Sequence, residues 1–347
     1  MRGELVFAYP GDLDTKTGGY GYDRQLIAEL IALGQPVRTI GLGNGFPNPA
    51  ADVLEHAGSL LSALPDDSLV LIDGLAFGVM GEWAAREAQR LRIVALVHHP
   101  LGLESGLSAA AREALLEREA MALAHVRHVI VTSPATAREL SSLFSIPAQA
   151  ITVALPGTAH AARAKPHNAV PHIVSIGSLT TRKGHDVLMR ALARLEDLPF
   201  TATIIGSPDL DPAVAAALAG LRDELDLGDR LILAGEVLDV ADELAKADIF
   251  ALASRYEGYG MVFAEALAYG LPVIGCAAGA VPDVVPSDAG ILVPVDDVEA
   301  FAAALRRLLS DTAARQHMAE ASYRAGQALP TWQQTGAIVA DSLRTVA

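Results

Sequence analysis

Glu257 and Glu265, with seven residues between them, flank a loop whose Gly258 and Gly260 let the backbone come close to a ligand. The apolar run at residues 249–252 just ahead has the character of a buried parallel strand. Residues 254–260 read as a loop and residues 261–269 as a helix, which Gly270 ends and Pro272 keeps from resuming. In an open parallel sheet, ligands bind beyond the carboxyl ends of the strands. A helix start at that place offers unpaired N–H groups and partial positive charge to a phosphate. Glu265, in the second turn of the helix, is repelled by phosphate and is assigned to a pair of sugar hydroxyls, which a carboxylate can accept together. Glu257 faces the same cavity from the loop. Carboxylates on both sides of an anion site fit a sugar nucleotide.

A second loop, Gly177-Ser-Leu-Thr-Thr-Arg-Lys183-Gly184, connects a strand that starts at His172 to a helix over residues 185–195. It is not a Walker A loop, because no glycine directly precedes the lysine. In the N-terminal half, a strand over residues 4–9 leads into a loop with Asp12, Asp14, Lys16 and the pair Gly18-Gly19, and helical periodicity runs from about Tyr22 to Leu33. Neither those glycines nor Gly41-Leu-Gly-Asn-Gly45 have G-x-G-x-x-G spacing, so a dinucleotide fingerprint is absent. A strand over residues 92–97 ends at His98-His99-Pro100. Neighbouring strand residues point to opposite faces, so the two histidines do not share one site if the strand continues. With no Cys, His or carboxylate at metal-ligand spacing nearby, no zinc site is expected.

In order along the chain, Glu257-Gly-Tyr-Gly, Glu265-Ala, Gly270-Leu-Pro-Val273, Gly279-Ala-Val-Pro-Asp283 and Gly290-Ile-Leu-Val293 resemble the signature of the family 4 retaining glycosyltransferases. The resemblance implies a GT-B fold, with two Rossmann-like α/β domains facing each other across a cleft. Residues 1–165 are then the acceptor-binding domain and residues 166–330 the nucleotide-sugar domain, with a last helix, 331–347, packing back on the first.

The resemblance also implies roles. Lys183, with Arg182 beside it, acts on the donor diphosphate. Ser178 stands where many relatives carry arginine, and Arg182 is the residue that can supply the missing charge. Glu257 orients the transferred sugar and Glu265 the ribose. Backbone of Gly235-Glu-Val-Leu238, with Val237 at its centre, meets the base. Tyr259, Gly260, Met261 and Val262 belong to the donor site at the helix start. Gly18 and Gly19 border the cleft, and His98 lies near the transferred sugar. Retention of configuration follows from the resemblance alone.

A length of 347 residues suits two α/β domains. Hydrophobic residues make up 51% of the chain, yet no apolar run approaches the ~20 residues that span a bilayer. Arg2 and Glu4 lead straight into a strand, so no signal peptide is expected and a cytoplasmic location is. The net charge of −15, with no basic surface standing out, argues against nucleic acid as a partner. In residues 109–128, Arg112, Arg118 and Arg127 are balanced by Glu113, Glu117 and Glu119, which argues against a basic membrane-facing helix. The single cysteine, Cys276, lies in an apolar strand and reads as a buried thiol. Residues 158–171 have no clear period and read as the linker.

The expected activity is hexosyl transfer from a nucleotide diphosphate sugar, UDP- or GDP-linked, to an acceptor hydroxyl. Lys183, Arg182 and the helix start neutralise the departing diphosphate, and no Asp-x-Asp triplet ends a strand, so neither a metal nor a cofactor is expected. No carboxylate stands out as a covalent nucleophile. A sugar-nucleotide epimerase on the same fold is one alternative; it would release nucleotide without an acceptor. A catalytically silent sugar-nucleotide binding protein is another, favoured by Ser178 and opposed by intact Lys183, Glu257 and Glu265.

Overall fold

Short runs of Leu, Ile, Val and Ala build two all-parallel sheets, and a computed structural model describes them over residues 3–164, 168–237 and 239–346. Contacts divide the chain into one unit of Met1–Gly157 with Pro330–Ala347, and another of Thr158–Leu329.

The first unit holds β1 (Leu5–Tyr9), β2 (Val37–Gly41), β3 (Leu69–Asp73), β4 (Arg92–Val97), β5 (His128–Val131) and β6 (Ile151–Val153), in the order β2-β1-β3-β4-β5-β6. Strands β3 to β5 are apolar along nearly their whole length because helices cover both faces of the sheet. The chain leaves β1 toward β2 and returns to β3 on the other side. The reversal lies between β1 and β3, and the crevice beyond their carboxyl ends is where such a sheet takes ligands.

Helix α1 (Gly18–Ala32) starts before Tyr22, the predicted position. Thr17 is its N-cap and accepts a hydrogen bond from the Tyr20 N–H at 3.4 Å, so Gly18 and Gly19 form the first helical turn and are not part of a loop. The last helix, α14 (Trp332–Val346), packs on α1 and puts Val339 and Leu343 into the core that holds Tyr22, Leu26 and Leu30. The Thr335 hydroxyl donates to the Leu155 carbonyl at 2.7 Å, and the Trp332 ring meets Tyr22 edge-on at 5.5 Å.

The second unit holds β7 (His172–Ile176), β8 (Thr201–Ile205), β9 (Leu231–Gly235), β10 (Ile249–Leu252), β11 (Val273–Cys276) and β12 (Gly290–Val293), in the order β12-β11-β10-β7-β8-β9. Its reversal falls between β7 and β10. Helices α7 (His185–Ala193), α10 (Met261–Ala268), α12 (Val298–Ser310) and α13 (Thr312–Gln327) belong to this unit. The sequence pattern does not predict α13. Its inward face has one large apolar residue, Met318, and otherwise Ala321, Ser322 and Gly326, side chains too small or polar to give an apolar stripe.

The predicted boundary at 165/166 falls in 165–167, outside the described residues. The division itself comes earlier, after Gly157. Residues 158–164 are held by the second unit, where the Ala164 N–H donates to the Tyr269 carbonyl at 2.8 Å. Cys276 is buried, and burial pushes its thiol up to about 11. Among the described residues no helix is long and apolar enough to cross a membrane.

Candidate active site

In the second unit, the loops after β7 and β10 rise on either side of the strand-order reversal. The first contains a 3-10 turn, Thr181–Lys183, followed by Gly184 in the left-handed region at φ 64°. A Cβ on Gly184 would lie 1.9 Å from the Ala253 carbonyl oxygen, so only glycine lets this turn lean on the β10 loop. Lys183 Nζ then sits 2.6 Å from Glu257 Oε1, and the Ser254 hydroxyl donates to the same oxygen at 2.6 Å. Arg182 Nη1 is 3.4 Å from Glu257 Oε2 and donates to the Tyr256 carbonyl at 2.9 Å. Glu257 is 5% exposed and Lys183 9%. Burial alone raises the Glu257 carboxyl. The charges of Lys183 and Arg182, with hydrogen bonds from Lys183 and Ser254, outweigh it and hold the group down at about 2. Two cations around one fixed anion leave this cluster with a net positive charge.

Helix α10 starts beside it. Gly260, at φ 90°, is its N-cap, and no side chain takes up the first N–H groups. Met261 and Val262 are half-buried in the first turn. Glu265 is half-buried one turn on, and burial raises it to about 7 against the pull of the Lys183 charge. Tyr259 is buried with its hydroxyl unpartnered, and burial pushes it up to about 12. Ser178 is half-buried, with its Cα packed beside Gly206 at the end of β8. Val237 is half-buried two residues past β9, and Leu238 lies outside the described residues.

The first unit carries a second ionic cluster, also at its reversal. His98 Nε2 lies 3.2 Å from Asp23 Oδ1 in α1 and 3.6 Å from Asp73 Oδ2 at the end of β3. The lack of residues at metal-ligand spacing near His98 led to the expectation of no zinc site, yet the fold brings two carboxylates to it from distant parts of the chain. These three residues could hold a metal ion, since their candidate ligand atoms all lie within 4.8 Å of one another. His99 turns away to Glu104, 3.4 Å from its Nε2. The hydroxyls of Thr132 and Thr136 donate to the His98 carbonyl at 3.2 and 3.3 Å, and the Tyr22 ring meets the imidazole edge-on at 5.4 Å. The imidazole also packs over Gly19, 3.4 Å from where a Cβ would begin; Gly18 is exposed.

Burial alone lowers His98, but hydrogen bonds and charge from Asp23 and Asp73 raise it to about 10. Burial and the charge of Asp73 push Asp23 up to about 8, while His98, Asp23 and the Leu75 N–H overcome burial to hold Asp73 low. Asp23 Oδ2 is buried without a partner.

Asp23, Asp73 and Ser254 were not among the expected site residues. Asp23 shares its helix with buried Leu26 and Leu30, and the i, i+3, i+7 spacing was the available signal. Glu119 also differs from expectation. Counted among the acids that balance the arginines of α5 (Ala109–Leu123), it is instead buried, accepting the Leu101 N–H at 2.8 Å just past His98-His99, and burial raises it to about 8.

Two parallel Rossmann-like sheets, with a basic cluster and helix start at the reversal of the second, define the GT-B class of glycosyltransferases. A sucrose-phosphate synthase from Thermosynechococcus elongatus has this fold with a TM-score of 0.82 at 22% identity, covering 98% of each chain. Anabaena HepE, solved with UDP and glucose, gives 0.75 at 16% identity, over 98% of this chain and 99% of that one. The model of Glycosyltransferase Family 4 matches residues 24–161, and that of Glycosyl transferases group 1 matches residues 170–311. The chain belongs to glycosyltransferase family 4.

Curated relatives agree. The D-inositol 3-phosphate glycosyltransferase of Xylanimonas cellulosilytica is 33% identical over 174 residues, 49% of this chain and 41% of that one. A GDP-mannose-dependent phosphatidylinositol monomannoside mannosyltransferase of Mycolicibacterium smegmatis is 33% identical over 178 residues, 47% of this chain and 44% of that one. The chain spans about half the length of the curated relatives it matches, from 41% to 53% for the first three.

Proposed function

We propose that the chain transfers a hexosyl group from a nucleoside diphosphate sugar to an acceptor hydroxyl, with retention and without a divalent metal. The observation that carries this reading is the net-positive cluster of Lys183, Arg182 and Glu257 beside the uncapped start of α10, at the strand-order reversal of the second unit. The diphosphate lies over the helix start and takes charge from Lys183 and Arg182. An ammonium has three protons to donate, so Lys183 can serve Glu257 and a phosphate oxygen together. As the bond to the anomeric carbon breaks, negative charge builds on the leaving diphosphate and these groups stabilise it. The leaving phosphate takes the acceptor proton. Glu265 accepts the ribose hydroxyls, and Glu257 orients a donor-sugar hydroxyl through Oε2, the oxygen it does not give to Lys183. Relatives named for UDP complexes and for GDP-mannose favour a UDP- or GDP-linked donor.

A thermal-shift screen with UDP, GDP, ADP and their sugars tests the donor, since a bound ligand raises the midpoint by mass action. One nucleotide series is expected to stabilise the protein, and transfer from it to persist in excess EDTA with the anomeric coupling of the product matching the donor. Loss of transfer in EDTA that magnesium restores would contradict the metal-free reading, and an inverted product would contradict retention.

A further inference from the structure

Arg255 stands two residues before Glu257 and outside the ion cluster, yet its guanidinium joins four segments of the second unit. Nη1 and Nη2 donate to the two oxygens of Asp186, in the first turn of α7, at 3.0 and 2.8 Å. Nε donates to Asp296, in the loop after β12, at 2.8 Å, and Nη1 also reaches the Thr181 carbonyl. The main-chain N–H of Arg255 donates to the Arg182 carbonyl at 2.8 Å. Asp296 adopts the left-handed region, φ 61°, which aspartate tolerates better than most residues. The Arg255 side chain is 19% exposed while those of Asp186 and Asp296 are 40% and 55% exposed, so these charged hydrogen bonds are partly shielded from water on the arginine side.

The carbonyls of Thr181 and Arg182 belong to the same turn as Lys183. Besides the Arg182 guanidinium, which donates to the Tyr256 carbonyl at 2.9 Å, two further contacts fasten that turn to the β10 loop. One is the Lys183–Glu257 contact, which a bound diphosphate must share or open. The other is Arg255, which no donor atom needs to displace. We infer that Arg255 is a positioning residue: it pins the Thr181–Lys183 turn to the β10 loop and keeps Lys183, Arg182 and Glu257 in register when the diphosphate draws on the ammonium. The inference rests on the donor-site reading proposed above. Lysine has the charge but not the planar fork, so it cannot reproduce the paired hydrogen bonds to Asp186 together with those to Asp296 and the Thr181 carbonyl.

Calorimetric titration of UDP, GDP and ADP into wild type, Arg255→Met and Arg255→Lys, beside the thermal midpoint of each, tests it. The nucleotide that wild type binds is expected to lose about 10- to 100-fold affinity in Arg255→Met and about 5- to 10-fold in Arg255→Lys. Arg255→Lys should keep a midpoint close to wild type, which separates loss of register from loss of fold. Affinity within twofold of wild type in folded Arg255→Met, or in Arg255→Lys if the methionine variant does not fold, overturns the inference and leaves the donor site standing. A wild type that binds none of the three nucleotides overturns both.

Discussion

At the reversal of the first sheet two carboxylates surround one imidazole; at the reversal of the second an ammonium and a guanidinium surround one carboxylate. The arrangements are mirror images in charge, and their balances differ. Near neutral pH, His98 at about 10 is a cation, Asp73 held low is an anion, and Asp23 at about 8 is mostly protonated. That cluster is internally compensated, and its three residues could take a metal ion only once His98 gives up its proton. Glu257, held down at about 2, is charged near neutral pH and faces two basic groups, Lys183 and Arg182. A buried cluster that balances itself serves neutral hydroxyls through hydrogen bonds, while one that does not balance attracts a diphosphate. On the proposed function the leaving group belongs to the second unit, and we propose that His98 positions a hydroxyl.

The comparison is broken most severely at Lys183. Lys183→Met removes the ammonium from the diphosphate and leaves Glu257 buried with only Arg182 and Ser254 as partners. Breaking a buried pair from one side costs about 3–5 kcal/mol, and Arg182 keeps the loss near the lower end. Transfer is expected to fall about 100- to 1000-fold by steady-state assay. Calorimetry of unfolding should show the second unit melting roughly 5–10 °C lower. Unchanged transfer would remove Lys183 from the chemistry.

Glu257→Gln tests the same cluster from its anion. Neutralising Glu257 frees the Lys183 ammonium for phosphate, so the diphosphate should bind as tightly as in wild type or a few-fold tighter, while transfer falls about 10- to 100-fold. Weaker diphosphate binding in this variant would mean that Glu257 positions Lys183 more than it competes for it. In the first unit, His98→Asn should lower transfer by about 10- to 100-fold, a charged hydrogen bond's worth, without changing diphosphate affinity.

Glu265 gives the smallest and most conditional effect. Its carboxyl is raised to about 7 by burial, so it is neutral below that pH and ionised above. Only the ionised form accepts two ribose hydroxyls, and nucleotide affinity is therefore expected to rise several-fold from about pH 6 to 8 in wild type and to stay flat in Glu265→Gln. A folded-state value raised above the unfolded one gives stability that is present at low pH and lost as pH rises through about 7. The free protein should follow that trend, and the glutamine variant should lack this part of it. A flat affinity profile in wild type would remove Glu265 from the ribose.

Much of the second unit was legible from sequence because its signals are local. The strand predicted at residues 249–252 is β10 itself, and the helix predicted at 261–269 is α10, Met261–Ala268, one residue shorter. Strand, glycine loop, helix and proline stop follow one another there within a single stretch, and each has its own residue signature. The first-unit cluster was not legible, because nothing in local spacing brings Asp23 to a histidine 75 residues later. Asp23 lies within the helix predicted from about Tyr22 to Leu33 and Asp73 at the end of β3, and no local pattern marks either as a partner of His98. Glu119 was misread for a related reason: charge counting along α5 ignored that Leu115, Glu119 and Ala122 share one buried face. Helix α13 was missed because its buried face is made mostly of small residues.

In the proposed function, diphosphate binding belongs to the second-unit cluster alone. Calorimetric titration of the preferred nucleoside diphosphate into wild type, Lys183→Met and His98→Asn tests it most directly. The expected result is about a 10- to 100-fold loss of affinity in Lys183→Met and wild-type affinity in His98→Asn. Equal losses in the two variants, or a loss confined to His98→Asn, would contradict it.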